Sequence, residues 1–263
     1  AVTGVQTCAL PIFYEFFVIA FGLPMLLLMG VGPLIAWRRA SWTSLRRTFL
    51  WPVAGGVATG VAMLLFGLGS SWPGVAAGSI CAFVTVTILS EFVRGTMARR
   101  RIAGEGTLTA FAHLVDRNRR RYGGYIVHLG VIVFVIGAIG ASAYQTERQA
   151  VLAQGQSMQV GAFTLTSEGV ERTRGPNFSE RAAVLRVTRD GEQVGTLRPA
   201  KRAYLREQTT SNEVGIHTTL TGGDLFVILE GIRGDGAVSI KAFYKPVVQL
   251  LWLSGFLFVG GLI

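Results

Sequence analysis

Charge is scarce in this chain. Of its 263 residues only 15% are Asp, Glu, Lys or Arg, where a soluble domain carries about 25%. Cysteine is scarcer still: Cys8 and Cys81 are the only two, too few for a disulfide-stapled fold. There is no CxxC, no CxxCH and no histidine-rich cluster, so a haem or metal bound here is not held by a thiolate set. Residues 145–245 lack a catalytic motif, with no GxSxG, HExxH or phosphate loop. Half of the residues are hydrophobic, with 34 glycines, 16 phenylalanines and a mean hydropathy of +0.46. That balance describes a membrane protein.

The basic excess is uneven. Residues 1–144 hold 12 arginines against 4 acidic residues, whereas residues 145–245 hold 13 basic against 11 acidic. A net charge of +10 would suggest nucleic acid, but the arginines sit in short connections between apolar runs, and membrane topology explains them better. Four runs approach the ~20 apolar residues that a span requires: 13–36, 48–68, 74–93 and 123–144. A fifth begins at Pro246 and meets the end of the sequence at Ile263. Basic loops stay cytoplasmic, here 37–47 and 94–122, whereas 69–73 has no charge. Alternation then sends 145–245 to the outer, periplasmic face and makes 246–263 a truncated last helix. Glycines in the second and fourth runs (Gly55, Gly56, Gly60, Gly130, Gly137, Gly140) suit close helix packing in lipid. The first twelve residues read as a translated sequencing-adapter stretch, a non-native artefact, and the chain reads as a fragment of a longer protein.

Residues 145–245 change period. Alternating apolar and polar positions in 162–166, 183–188, 225–229 and 238–243 mark strands. Asp190-Gly191 is a hairpin signal, and Gly222-Gly223 and the glycines at 234 and 236 mark further turns. The expected fold is therefore a polytopic α-helical membrane bundle of about five spans, carrying a small, mostly antiparallel β domain on the periplasmic side.

His128 is the candidate for chemistry. Seven residues past Arg121, it lies ~10 Å inside the fourth run, where an ionisable side chain is costly and marks function by default. Gly124, one turn earlier, would leave room for a flat macrocycle. Two readings stand side by side: an axial ligand to iron, or a packing histidine bonded to a neighbouring helix. His113, in a basic stretch near Asp116, and His217, in a Thr-rich strand, read as surface residues. Glu91 beside Arg94 reads as a snorkelling pair.

The ordered strings Gly30-Val31-Gly32-Pro33-Leu34, Trp37-Arg38, Glu91-Phe92, Arg94-Gly95, Arg119-Arg120-Arg121-Tyr122-Gly123-Gly124-Tyr125-Ile126-Val127-His128-Leu129-Gly130, Gly175-Pro176-Asn177, Lys201-Arg202, Asn212-Glu213-Val214-Gly215-Ile216 and Phe243-Tyr244-Lys245-Pro246 resemble the C-terminal part of the CcmF family. Those proteins are haem lyase subunits of bacterial cytochrome c maturation. The resemblance implies a bacterial inner (cytoplasmic) membrane protein. Its partners would be other maturation subunits, a haem chaperone, apocytochrome c and membrane lipid, and not nucleic acid. It implies a substrate haem delivered by the chaperone, and a structural haem b in the helices for which His128 matches one of two axial ligands. The substrate-haem site is expected upstream, so the fragment alone would be inactive. Lys201, Arg202 and Glu213 are candidates for partner docking, and Arg119, Arg120 and Arg121 for haem propionates. Competing readings are a membrane transporter subunit and a non-catalytic membrane scaffold.

Overall fold

The computed structural model describes residues 16–34, 42–204, 209–219 and 222–262. Residues 1–15, which include Cys8 and the adapter-like stretch, lie outside them, as do 35–41. The chain divides into two compact units, one of residues up to Ile139 together with the segment from Leu250 onward, the other Gly140–Gln249.

The first unit is helical. A π-helical turn, Val18–Gly22, leads into α1 (Leu23–Val31), followed by α2 (Trp42–Leu65), α3 (Trp72–Ala103), α4 (Thr107–Arg117), α5 (Arg119–Ala143) and, after the β domain, α6 (Gln249–Leu262). Three of these are long and apolar enough to cross a membrane: Arg46–Leu65 in α2, then α3 and α5. The helical segments Val18–Leu34 and Gln249–Leu262 are apolar but shorter. Trp51, Leu65 and Phe66 are 72–83% exposed, an outer surface that would be a liability in water and is ordinary against acyl chains.

The stretch 94–122, read from its arginines as a connection, is helical almost throughout. At ~1.5 Å per residue the 32-residue α3 is about 48 Å long, well beyond a hydrocarbon core of ~30 Å. Its last turns carry Arg94 to Arg101, good helix formers placed where the helix dipole favours cations. Ser71 caps its start by accepting from the Gly74 N–H at 3.3 Å, and Gly104, in the left-handed region (φ 65°), ends it.

Small residues set the helix spacing. A Cβ on Gly56 would lie 2.9 Å from the Ser79 carbonyl, and one on Gly60 2.6 Å from Ser79 Oγ, so the backbones of α2 and α3 meet across these glycines. On α5, Gly123, Gly130 and Gly137 face α6, at Gly261, Phe258 and Leu250 respectively.

The second unit consists of two antiparallel sheets. One has the order β1 (Thr146–Leu152), β10 (Val238–Lys245), β9 (Asp224–Ile232), β8 (Gly215–His217). The other runs β2 (Ser157–Val160), β3 (Phe163–Arg174), β4 (Phe178–Arg189), β6 (Ala200–Tyr204), β7 (Thr209–Glu213), with β5 (Glu192–Leu197) also on β4. Their inner faces share one core, in which Phe163, Leu165, Leu185, Val227 and Ile240 are fully buried. The four alternating segments lie in β3, β4, β9 and β10, apart from Ala162 in the turn before β3. Asp190 (φ 52°) and Gly191 (φ 87°) form the β4–β5 turn, both in the left-handed region that a two-residue hairpin needs.

Candidate functional site

His128 sits on α5, half-buried. Its Nδ1 is sealed from solvent and has no hydrogen-bond partner among the described residues. A buried polar atom left unpaired costs about 1–3 kcal/mol, so the environment lacks something that would engage the ring. One turn earlier, a Cβ on Gly124 would meet nothing within 4 Å, unlike its neighbour Gly123, which is pressed against Gly261. The face of α5 bearing Gly124 and His128 is therefore open at Gly124, whereas the glycine stripe is filled by α6. Both features suit a flat group ligated through the imidazole. They would be unexpected for a histidine placed only to bond a neighbouring helix.

Toward the start of α5 the ionisable groups are already engaged. Glu91 on α3 accepts from Arg94 at 2.6 Å and from Arg121 on α5 at 2.7 Å. The snorkelling pair expected from sequence is thus one half of a cross-helix clamp, whose other half, thirty residues away, carries no local signal. Arg121 also donates to Tyr125 Oη at 3.3 Å and lies 5.8 Å from the rings of Tyr122 and Tyr125. Phe92 packs on both tyrosines, at 5.1 and 6.0 Å between centroids. Arg119 is held by Asp116 at 2.6 Å, and its guanidinium keeps the Asp116 carboxyl below the usual range. With Arg119 and Arg121 so committed, only Arg120 of the three candidates for propionates has no ion pair among the described residues.

His113 lies 3.2 Å from Glu105, which also takes both hydrogen bonds of a bidentate Arg99 pair at 3.0 Å. The Arg99 bonds, more than His113, hold the Glu105 carboxyl below its ordinary range. His217, expected at the surface, is half-buried on β8 and packs edge-on against the core residue Phe163 at 5.5 Å. Cys81 is buried and free. Among the described residues no three His, Cys, Asp or Glu side chains gather as a metal site. Of the docking candidates, Arg202 is bound by Glu180 at 2.6 Å and Glu213 at 3.5 Å. Hydrogen bonds to Tyr204 and Glu180 strengthen its hold on the proton, so Arg202 and Glu213 neutralise one another. Two shallow grooves lie in the helical unit, about 430 Å³ beside Phe111, Arg119 and Gly123, and about 390 Å³ beside Leu27, Phe49 and Phe83; His128 lines neither.

A unit of apolar, membrane-type helices joined to a two-sheet antiparallel β domain defines the class: a helical membrane-type protein that carries a β-sandwich. Residues 143–246 match the family model described as the CcmF C-terminal beta-sandwich. Across 258 residues the chain is 31% identical to the cytochrome c-type biogenesis protein CcmF of Pseudomonas fluorescens, covering 96% of this chain and 37% of that protein. It is 26% identical to CcmF of Pseudomonas aeruginosa (99% and 38%) and 28% to CcmF of Escherichia coli (91% and 35%). A solved structure of the cytochrome c haem lyase CcmF has the same fold, with a TM-score of 0.70 at 24% identity over 95% of this chain and 39% of that one. The chain is thus similar to the C-terminal part of CcmF, and spans less than two fifths of the length of these relatives.

Proposed function

We propose that this chain is part of a haem lyase subunit that acts in cytochrome c maturation, attaching haem to apocytochrome c, and that His128 is one axial ligand of a haem b held within its helices. The observation that carries the reading is the sealed, unpartnered Nδ1 of His128 beside the open position at Gly124. Relatives named for cytochrome c-type biogenesis support the process. A bound haem would supply one-electron redox chemistry, insulated from water.

The rest is work for the chain's own residues. His128 would grip the iron while the absent side chain of Gly124 admits the ring. The Glu91 clamp and the Phe92, Tyr122 and Tyr125 rings would fix the start of α5, and so the depth of the imidazole. The glycine stripe of α5, closed by α6, holds the opposite side. Thioether formation depends on bringing thiols and reduced haem together. In this reading the chain contributes to that arrangement.

In this reading the helices make about five spans of a bacterial inner membrane. The arginine-rich ends of α3 and α5 face the cytoplasm, and residues 145–245 lie in the periplasm, with 246–263 as the last of these spans. Other maturation subunits, a haem chaperone that delivers the substrate haem, and apocytochrome c are the partners. Residues 1–12 are taken as non-native.

The test is the visible spectrum of the full-length protein. Low-spin haem b bands are expected, lost or shifted to a high-spin form in His128→Ala. Gly124→Leu, which fills the open position and leaves the imidazole in place, should lower the haem content. Unchanged low-spin absorption in both variants would refute the assignment.

A further inference from the structure

Where the β3–β4 hairpin lies beside β6, the sandwich separates its charges by face. Strand register sets Arg172 opposite Arg181, and Arg181 opposite Lys201. Three cations thus occupy one row on one face of three neighbouring strands, and Arg174, two residues beyond Arg172, extends it. Alternation sends Glu171, Glu180 and Arg202 to the other face. There the charges cancel: Glu171 binds Arg198, and Arg202 binds Glu180 and Glu213.

Among the described residues the cationic face has no such compensation. Among the described residues none of its four basic side chains has a carboxylate partner; Lys201 donates to the Glu230 carbonyl. Arg172, Arg174 and Arg181 are exposed. Further along β4 this same face, at Ala183, Leu185 and Val187, is buried in the core, so the row begins where the second sheet stops covering it. Like charges directly opposite one another weaken a ladder. An arrangement that keeps them together, while neighbouring acids serve the reverse face, has its compensation elsewhere.

We propose that this row is a docking surface for an acidic, extended polypeptide segment of a partner protein. Arg172 and Arg174 are separated by two residues, ~6.8 Å along a strand, which is also the spacing of alternate side chains on an extended peptide. The rest of the face is small and polar, with Ser179, Thr210 and Asn212 in the adjoining positions. Among the described residues it lacks the large apolar side chains by which a surface inserts into lipid. The inference is independent of the haem assignment, since no residue is shared.

The experiment uses the whole chain in phosphatidylcholine nanodiscs and a fluorescent oligo-glutamate peptide, with oligo-lysine as the opposite-charge probe and phosphatidylglycerol vesicles as a separate arm. Arg172→Gln and Arg181→Gln should each weaken oligo-glutamate binding up to about fivefold, the range of an exposed ion pair, and the double variant more. Their melting temperatures should be unchanged or higher, because repulsion is relieved; a structural role would lower them. Arg148→Gln, an exposed cation on β1 of the other sheet, should bind as the parent does. The proposal is overturned if the hairpin variants bind the peptide like the parent, if Arg148→Gln loses as much, or if only the vesicles tell the variants apart.

Discussion

Glu91 is the hub of two ion pairs of unequal setting, and the inequality makes a quantitative prediction. Its side chain is 12% exposed, against 50% for Arg94 and 59% for Arg121. An exposed pair is worth about 0.2–1 kcal/mol, because water screens it and two long side chains must be ordered. Arg94→Gln should therefore cost about 0.5 kcal/mol and leave Glu91 satisfied by Arg121. Arg121→Gln should cost about 1 kcal/mol, because it also removes a bond to Tyr125 and contacts with two rings. Glu91→Gln breaks both pairs at the most desolvated member and should cost about 2–3 kcal/mol. A double-mutant cycle between Glu91 and Arg121, followed by helical circular dichroism during unfolding in mixed micelles, isolates the cross-helix term. A coupling of about 1 kcal/mol that shrinks with added salt is expected. If Arg121→Gln proved as costly as Glu91→Gln, or if the coupling vanished at low salt, the clamp would not be what fixes α5 against α3.

Gly56→Ala should cost about 1–3 kcal/mol, since its Cβ would lie 2.9 Å from a backbone carbonyl that cannot swing aside; Gly255→Ala, with nothing within 4 Å, should be neutral or stabilising in the same micelle unfolding assay. The Glu105 carboxyl, held low chiefly by Arg99, predicts an acid-sensitive α3–α4 turn. Because the folded value lies below the unfolded one, the contribution is complete at neutral pH and drains away as pH falls through the lowered value; hydrogen exchange at the turn should accelerate over that window in the parent and not in Glu105→Gln.

The apolar runs announced membrane-type helices because burial in lipid demands length and composition, both of which a sequence displays directly. The antiparallel β domain was equally readable: a period of two and the Asp190-Gly191 turn are local properties. Helix ends were harder. The arginines of 94–122 signal which side of a membrane they prefer and say nothing of backbone conformation, so the pattern suggests a loop where a helix continues to Ala103. Long-range partners were out of reach altogether. Nothing near Glu91 points to Arg121, and nothing near Arg202 points to Glu213. The row made by Arg172, Arg181 and Lys201 exists only once three strands have chosen their register. His128 stands out in the sequence for its depth and for Gly124 one turn earlier; that its Nδ1 has no partner among the described residues and that the position at Gly124 is open are facts of packing.

The three glycines of α5 that meet α6 recur every seven residues. Seven steps of an α-helix fall ~20° short of two full turns, so the contact line drifts around α5 as it climbs. For α6 to keep touching Gly123, Gly130 and Gly137 in succession, the pair must wind about each other with a left-handed twist. That winding gives α6 one register along α5: sliding by a single residue would set side chains against the helix wall where now there are hydrogens.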